Sequence, residues 1–342
     1  MREAMTPLER FALLFMDERP DRLITAPFVT TAAAAFAGVS PGACCRDGAL
    51  LARAQIAAQE ALRHDAFFVF SDVAIVAEAM GSVLRFAEDR VPLLDVPVVR
   101  EARDVDGLPL PGPDRGRFPV YLEAVRILHE TRGDRVPVFC LVPAPFTTAA
   151  GLRGAEDFLV DTIADPPLAE ALVLAAERAT VPLLDAIVLA GGLPALVDPL
   201  ASASVAAPKT YRALALPGTR RLVERLHRLD LDVLLHVCGE ITPILEDLAA
   251  TGADLLSFDR AGVAEVRDAV GDRMRLAGNV SPVTILSRRA EEVLEETRRA
   301  IREGMGAPRG FVLSTGCEVP PGSPPENLAA FYRAAAAAGG VP

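Results

Sequence analysis

Residues 231–240 read Leu-Asp-Val-Leu-Leu-His-Val-Cys-Gly-Glu, a short apolar run that ends in a histidine and a cysteine. A second run, Gly-Phe-Val-Leu-Ser-Thr-Gly-Cys-Glu at 310–318, also ends in a cysteine. Short, continuously apolar runs are typical of strands that are buried on both faces of a parallel sheet. Because active sites of barrels built from such strands lie at the strands' carboxyl ends, these two segments indicate both an α/β fold and the place of its site.

Eight candidate strands alternate with longer segments of helical pattern. Residues 119–132, for example, space Leu122, Val125 and Leu128 three apart, which gives a helix one buried stripe. Eight βα alternations predict a (β/α)8 TIM barrel. The predicted strands are Leu23–Val29, Phe67–Ser71, Val136–Val142, Ala186–Ala190, Val233–Val237, Asp254–Phe258, Met274–Ala277 and Gly310–Ser314.

An open, doubly wound sheet is the alternative arrangement of the same elements. No G-x-G-x-x-G motif follows the first predicted strand, which disfavours the dinucleotide-binding form of that sheet. Thr6 and Pro7 suit an N-cap and a first helical position, so we expect an N-terminal helical addition before the barrel. Since no linker is evident, residues 1–342 are expected to form a single domain.

Composition excludes several function classes. A net charge of −11 and the absence of tryptophan argue against a nucleic-acid or anionic-membrane surface. No apolar run reaches the roughly 18–20 residues of a membrane span, and we expect a soluble, cytoplasmic protein without a signal peptide. Five scattered cysteines do not suggest a disulfide framework, and Cys140, inside an apolar run, is expected to be a core residue.

His236 and Cys238 are two residues apart, so on an extended segment their side chains point the same way. Together with Cys317 they form a ligand set that suits a catalytic zinc with its fourth position open. Magnesium and calcium prefer oxygen ligands. The fourth ligand could be Glu240, Glu318 or a water. The competing interpretation is a satisfied histidine beside two small buried thiols.

Two cysteine thiolates already offset the charge of a zinc ion, so a third, bound thiolate would keep its nucleophilic character. This ligand set therefore favours thiol alkylation over the water activation typical of histidine-rich zinc sites. Asp72, Asp259 and Asn279 fall just after the second, sixth and seventh predicted strands, which places them at the same barrel mouth. His64, His129 and His227 lie in charged, helical segments and are expected at the surface.

Several segments resemble, in order along nearly the whole chain, those of one family. They are Met-Thr-Pro-Leu-Glu-Arg-Phe at 5–11, Phe-Ser-Asp at 70–72, Asp-Pro-Leu-Ala-Ser at 198–202, His-Val-Cys-Gly at 236–239, Gly-Asn-Val-Ser-Pro at 278–282 and Ser-Thr-Gly-Cys-Glu-Val-Pro-Pro at 314–321. On these segments the chain resembles the uroporphyrinogen decarboxylase superfamily. Within it, the chain looks like the zinc-dependent methylcobamide:coenzyme M methyltransferases.

The resemblance implies a (β/α)8 barrel in which a histidine and two cysteines, here His236, Cys238 and Cys317, bind zinc. It also implies two substrates: a small thiol such as coenzyme M, and a methylcorrinoid carried by a separate corrinoid protein. The thiol would take the methyl group; a homodimer is left open as the assembly. Candidates for lining the mouth and positioning the substrates are Asp72, Asp198, Asp259 and Asn279.

Two other functions remain open. One is a tetrapyrrole decarboxylase, in which Asp72 would contact pyrrole nitrogens. This chain, however, reads Pro-Phe-Val-Thr-Thr-Ala at 27–32, where the decarboxylases carry Arg-Gln-Ala-Gly-Arg, and so it lacks the clamp for carboxylates. The other is a non-catalytic corrinoid- or metal-binding module. The acceptor is also open between coenzyme M, homocysteine, another thiol and tetrahydrofolate; a sulfonate could be bound by Lys209, Arg212 or Arg260.

Overall fold

The computed structural model describes residues 4–338, and its central feature is an eight-stranded parallel sheet that curls into a barrel. The strands are β1 (Ile24–Thr25), β2 (Phe67–Val69), β3 (Val83–Arg85), β4 (Leu93–Val96), β5 (Val138–Pro143), β6 (Leu193–Val197), β7 (Leu234–Val237), β8 (Leu255–Phe258), β9 (Arg275–Val280) and β10 (Phe311–Thr315). Their order is β1-β10-β9-β8-β7-β6-β5-β2, while β3 and β4 pair separately as an antiparallel hairpin. This is the predicted (β/α)8 barrel.

Helices follow the barrel strands and cover the outer face of the sheet. They are α1 (Pro7–Phe15), α2 (Ala33–Phe36), α3 (Pro41–Cys44), α4 (Gly48–Leu62), α5 (Ile75–Ala79), α6 (Phe118–Arg132), α7 (Pro145–Arg153), α8 (Ala155–Ala164), α9 (Pro166–Leu189), α10 (Pro208–Thr210), α11 (Leu216–His227), α12 (Leu245–Ala249), α13 (Val263–Val270), α14 (Pro282–Ser287), α15 (Ala290–Gly304) and α16 (Pro325–Ala337). Within residues 4–338, no helix is both long and apolar enough to cross a membrane.

Strand alternation divides the apolar side chains into two cores. Val69, Leu235 and Leu256 point outward and pack with the helices in the larger core. Phe68, Leu234 and their counterparts on the other strands point inward and fill the barrel. The inner core is therefore built of successive layers of side chains. The layer at the carboxyl ends of the strands consists of the inward-facing residues that come next along each strand.

The N-terminal helix α1 covers the amino end of the barrel. Thr6 caps it by accepting the Glu9 N–H, as the sequence predicted. Phe11 packs edge-on against Phe139 inside the barrel at 5.2 Å between ring centroids. Arg275 at the start of β9 donates to the Leu14 carbonyl at 2.6 Å, so the helix is tied to the sheet by polar contacts as well.

Asp65 connects β1 and β2, the two strands at the ends of the sheet order, and so closes the barrel. Its N–H donates to the Thr25 carbonyl at 2.9 Å, and its carboxylate accepts the Thr25 N–H at 2.8 Å. The same carboxylate accepts from Arg22 at 2.6 and 2.8 Å and from the fully buried Arg10 at 3.2 Å. A buried, charge-assisted network thus replaces a regular ladder at this joint.

Two predictions about particular residues are wrong. Residues 186–190 are not a strand but the last turns of α9, and the fourth strand of the barrel in chain order is β6, which lies further on at Leu193–Val197. The end of this helix is apolar on most of its surface, and an apolar run of that kind does not distinguish a buried helix from a strand. His64 is fully buried rather than at the surface, whereas His129 and His227 are exposed as predicted.

Candidate metal centre

The carboxyl end of the barrel carries a layer of inward-facing side chains that is polar on one side and apolar on the other. His236 stands two residues beyond the inward Leu234, and Ser257 two beyond the inward Leu255, so both continue the inner core. On the neighbouring strands β5 and β6 the inward positions near this end hold apolar residues, such as Leu141 and Val197, and Val197 pairs directly with His236. The strand register therefore places one polar cluster beside an apolar wall.

Three side chains of this cluster bring their ligand atoms together. His236 Nε2 lies 3.0 Å from Cys238 Sγ, and Cys238 Sγ lies 3.4 Å from Cys317 Sγ. All three ligand atoms lie within 4.8 Å of one another, although Cys317 is 79 residues away from Cys238 in sequence. The barrel thus joins the ends of β7 and β10 at one point.

The arrangement fits a tetrahedral zinc ion. With Zn–S and Zn–N bonds of about 2.3 and 2.0 Å, ligand atoms stand about 3.5–3.8 Å apart, a few tenths of an ångström more than the two contacts here. The sulfurs are not bonded to each other, because a disulfide bond is only about 2.05 Å long. Nitrogen and sulfur donors suit zinc, and His236, Cys238 and Cys317 are therefore the residues that would hold it.

Ser257 orients the histidine. Its Oγ lies 3.0 Å from His236 Nδ1, and both side chains are buried. For Nε2 to offer a lone pair to a metal, Nδ1 must carry the ring proton and donate it to this hydroxyl. The ring of Phe28, 5.1 Å away and edge-on, limits the other rotations of the imidazole.

We expect Ser257→Ala to weaken zinc binding about 10- to 100-fold, because the histidine loses the partner that sets its tautomer and ring orientation. Titration against a chromophoric chelator would measure the change. Ser314→Ala is a matched control, since Ser314 is equally buried and its hydroxyl donates to the Ala26 carbonyl at 2.8 Å. Equal zinc affinity in the two variants would show that Ser257 does not orient the ligand.

The two thiols share a proton in a way that favours metal binding. A hydrogen bond from Cys238, together with the nearby His236, lowers the pKa of Cys317 to about 4, against the effect of burial. The same hydrogen bond and burial raise the pKa of Cys238. One sulfur of the pair is therefore held as a thiolate, which is the form that ligates a metal.

Asp259 supports the turn that follows Cys238, and Asn279 in turn supports the segment that carries Asp259. Gly239 has a φ of +71°, a conformation that favours glycine, and its N–H donates to the Asp259 carboxylate at 3.1 Å. Burial raises the pKa of this carboxyl group. Asn279 donates to the carbonyls of Asp259 and Ala261 at 3.1 and 2.5 Å. Of these two predicted site residues, Asp259 thus holds the backbone next to the candidate ligand Cys238, and Asn279 holds the backbone of the loop that follows β8.

Asp198 lies directly behind the site. Its N–H donates to the His236 carbonyl at 2.9 Å, and one carboxylate oxygen accepts from the Thr147 N–H and hydroxyl at 3.1 and 2.6 Å. The other oxygen is buried and has no hydrogen-bond partner among the described residues. Burial raises the pKa of Asp198 to about 7. The residue is placed to fix the end of β6 against β7.

Asp72, by contrast, is engaged in a separate ion pair. Its carboxylate lies 2.7 Å from Arg117 and accepts from the Ser71 hydroxyl and the Ala74 N–H at 2.6 and 2.9 Å. Arg117 also pairs with Glu78 at 2.7 Å. The chain neighbour Val73 lines the cavity above the metal ligands, but the Asp72 carboxylate is occupied elsewhere.

The two carboxylates considered as a fourth ligand differ in their surroundings. Glu240 accepts the Thr242 N–H at 2.8 Å, and this hydrogen bond lowers its pKa. Glu318 lines the same cavity as His236, Cys238 and Cys317, and burial raises its pKa to about 7. Glu318 is therefore the carboxylate that faces the open side of the cluster.

A cavity of about 160 Å³ opens above the three ligands. Its walls combine the ligand cluster with apolar side chains from other strands of the barrel and from the loops that follow strands. They are Phe28, Thr30, Phe70, Val73, Leu141, Val197, Pro199, His236, Cys238, Cys317 and Glu318. A reactant bound at the metal position would thus sit in a largely apolar enclosure.

Sequence reasoning missed Ser257 and the apolar wall. A signal for Ser257 was present, because a serine at an inward position of the otherwise apolar strand β8 needs a hydrogen-bond partner. Phe28, Leu141 and Val197 carry no such signal, since they look like any other core residue. The pairing of β6 with β7 sets Val197 beside His236, and the tertiary structure brings Phe28 and Leu141 into the same cavity.

Comparison with known proteins places this architecture in context. Residues 6–338 match the uroporphyrinogen decarboxylase (URO-D) family. A methylated-thiol–coenzyme M methyltransferase from Methanosarcina mazei is 31% identical over 77% of this chain and 70% of the relative. A methylcobamide:CoM methyltransferase MtaA from Methanosarcina barkeri is 30% identical over 83% of each chain, and so is a uroporphyrinogen decarboxylase from Geobacter metallireducens.

Solved structures agree with the fold. A methyltransferase from Methanosarcina mazei superposes with a TM-score of 0.88 at 26% identity, covering 97% of this chain and 99% of the other. A B12-independent methionine synthase from Shewanella is a more distant match, with a TM-score of 0.54 at 12% identity over 84% of this chain and 85% of the other, and shows the fold alone.

Proposed function

Because this protein belongs to the uroporphyrinogen decarboxylase (URO-D) family, and its barrel mouth combines one histidine with two cysteines, we propose that it is a zinc-dependent methyltransferase. In this proposal it moves a methyl group from a methylcorrinoid, carried by a separate corrinoid protein, to a small thiol. The observation that carries the proposal is the convergence of His236, Cys238 and Cys317 at the floor of an apolar cavity.

A zinc ion in this site would bind the acceptor's sulfur and lower its pKa, so that the sulfur reacts as a thiolate. The residues around the site divide the remaining tasks. Ser257 holds the His236 ring, and Asp259 fixes the Gly239 turn behind Cys238. Phe28 and its apolar neighbours exclude water from the reacting sulfur, which keeps the nucleophile poorly solvated and reactive.

The reaction balances without a further reactant. The thiol loses its proton to solvent, and its sulfur forms a bond to the methyl carbon of the methylcorrinoid. The cobalt–carbon bond breaks, and its electron pair stays on cobalt, which leaves the corrinoid as Co(I). The products are a methyl thioether and a reduced corrinoid on the partner protein.

Decarboxylation of a tetrapyrrole is the second candidate, because decarboxylases of the family are equally similar in sequence. The site argues against it. A uroporphyrinogen carries many carboxylates, whereas Phe28 and Thr30 face the cavity from the segment in which the decarboxylases have their arginines. Asp72, which would contact the pyrrole nitrogens, is occupied by Arg117.

The proposal predicts that the purified protein contains about one equivalent of zinc. With methylcobalamin and a small thiol, it should produce cob(I)alamin and the methyl thioether, which absorbance spectra and mass spectrometry would detect. Removal of the metal with a chelator should abolish turnover, and added zinc should restore it. Release of carbon dioxide from uroporphyrinogen by metal-free protein would support the decarboxylase instead. Zinc binding without turnover of any thiol would support a non-catalytic module.

A further inference from the structure

We infer that the acceptor is a small, uncharged alkyl thiol rather than a thiol that carries a sulfonate or carboxylate. This inference rests on the proposed methyl transfer and specifies its substrate class. The geometry points to it through two features of the cavity above the metal ligands: the chemistry of its walls and the placement of the nearby cations.

The walls that face the ligand cluster are hydrocarbon. Phe28, Leu141 and Val197 are buried residues of the inner core, with 3–5% of their surface exposed. Phe28 is held rigidly, because its N–H donates to Thr315 Oγ1 at 3.1 Å and its carbonyl accepts the Val319 N–H at 2.9 Å. Phe70 and Val73 continue the same wall outward. An alkyl group attached to the bound sulfur would contact these side chains.

The cavity provides no partner for a charged substrate group. Within the described part of the chain, no lysine or arginine lines this cavity, and its one ionisable side chain outside the ligand cluster is the carboxyl group of Glu318. A sulfonate or carboxylate on the substrate would therefore be buried without a cationic partner.

The cations considered for a sulfonate lie elsewhere. Arg212 donates to Asp247 at 2.8 and 2.9 Å. Arg260 is largely exposed beside Asp259, at 3.9 Å, and lines a separate depression of about 770 Å³. Lys209 is exposed on α10 and does not line the cavity. The Arg260 N–H donates to the Gly239 carbonyl at 3.3 Å, but none of the three cations lines the cavity.

Burial of an unpaired anion against hydrocarbon is strongly unfavourable, whereas each buried methylene favours binding. The free-energy gain of about 0.8 kcal/mol per methylene corresponds to roughly a fourfold increase in kcat/KM. The apolar wall thus favours the binding of an alkyl thiol and disfavours the binding of a sulfonate.

The zinc-loaded protein can be tested with a matched panel: ethanethiol, 1-propanethiol, 2-mercaptoethanol, 2-mercaptoethylamine and 2-mercaptoethanesulfonate. The rates of cob(I)alamin formation are divided by the uncatalysed rates of the same thiols. We expect kcat/KM for 1-propanethiol to exceed that for ethanethiol about fourfold and that for the sulfonate at least about tenfold. Calorimetric titration without methylcobalamin should give the same order of affinities.

A preference for the sulfonate over both alkyl thiols would overturn the inference and leave the proposed methyl transfer intact. Failure of every thiol to react would overturn the proposed function as well. Equal activity with 2-mercaptoethanol and 1-propanethiol would also contradict the inference, because it would show that the apolar wall does not contact the substrate.

Introducing a cation at the rim should reverse the preference. Val73 lines the cavity and is 36% exposed, so Val73→Lys should raise the sulfonate-to-propanethiol ratio at least about tenfold. Val73→Met controls for side-chain size. Val83→Lys, at an exposed valine of β3 that does not line the cavity, controls for charge and should leave the ratio unchanged. The same change of this ratio in both lysine variants would exclude a local effect of the new charge. An unchanged ratio in Val73→Lys would show that the acceptor does not contact this wall.

Discussion

Cys317→Ala is expected to release zinc and to reduce kcat/KM for methyl transfer by more than about 1000-fold. The reason is that a tetrahedral site with three protein ligands loses a third of its protein donors and one of the two thiolates that neutralise the ion. Cys238→Ala should have the same effect, since its sulfur lies 3.4 Å from that of Cys317 and 3.0 Å from the His236 ring. Metal analysis after gel filtration, followed by the methylcobalamin assay, would measure both losses.

Cys44→Ala provides a matched control for the removal of a thiol. Cys44 is likewise a free cysteine, but it is buried on α3, outside the ligand cluster, and burial raises its pKa. This variant should keep one equivalent of zinc and the activity of the parent protein. If Cys238→Ala and Cys317→Ala each kept a full equivalent of zinc and full activity, the proposed ligand set and its chemistry would be wrong.

Asp65→Ala should destabilise the protein by about 3–5 kcal/mol. The substitution removes the carboxylate that accepts from Arg22, from Arg10 and from the Thr25 N–H, and it thereby weakens the joint between β1 and β2. Arg10 is fully buried and would keep only part of its charge compensation, from Asp21 at 2.6 Å. Urea denaturation followed by circular dichroism would measure the free energy of unfolding.

Asp185→Ala is the corresponding control on the surface. Asp185 pairs with Arg225 at 2.6 Å, but both side chains are more than a third exposed, and such pairs contribute about 1 kcal/mol or less. A loss in Asp65→Ala no larger than that in Asp185→Ala would show that the barrel does not depend on its polar joint. The comparison separates a buried charge network from an ion pair that solvent screens.

The secondary structure was predicted correctly from sequence where a local pattern is compatible with a strand but not with a helix. The apolar runs around Leu234 and Leu313 are too short for helices and end at turns, and both are barrel strands. The prediction of a strand was wrong at residues 186–190, where an apolar stretch belongs to a helix of 24 residues. A short apolar run does not by itself show whether it is a buried strand or part of a buried helix.

The candidate site divides in the same way. The H-x-C spacing determines that His236 and Cys238 face one direction, since side chains two apart on a strand share a face. That Cys317 joins them followed from the topology of a barrel, in which strand ends meet. By contrast, the role of Asp72 was not evident from the sequence. Its ion-pair partner, Arg117, is 45 residues further along the chain.

The sequence by itself determined the alternation of strands and helices and the shared direction of His236 and Cys238, because these are properties of residue type and short-range spacing. Cys317 joined the ligand candidates through the topology of a barrel, and the loss of the arginine clamp near residue 28 followed from the resemblance to the decarboxylases. Tertiary structure alone decided that Ser257 orients His236 and that Phe28 stands over the histidine ring at 5.1 Å. It also decided that the cavity faces the ligands with hydrocarbon and without a cation among the described residues. These features depend on which inward-facing side chains come together in the folded barrel. The sequence does not specify those neighbours, because the hydrophobic effect that buries a side chain is non-directional.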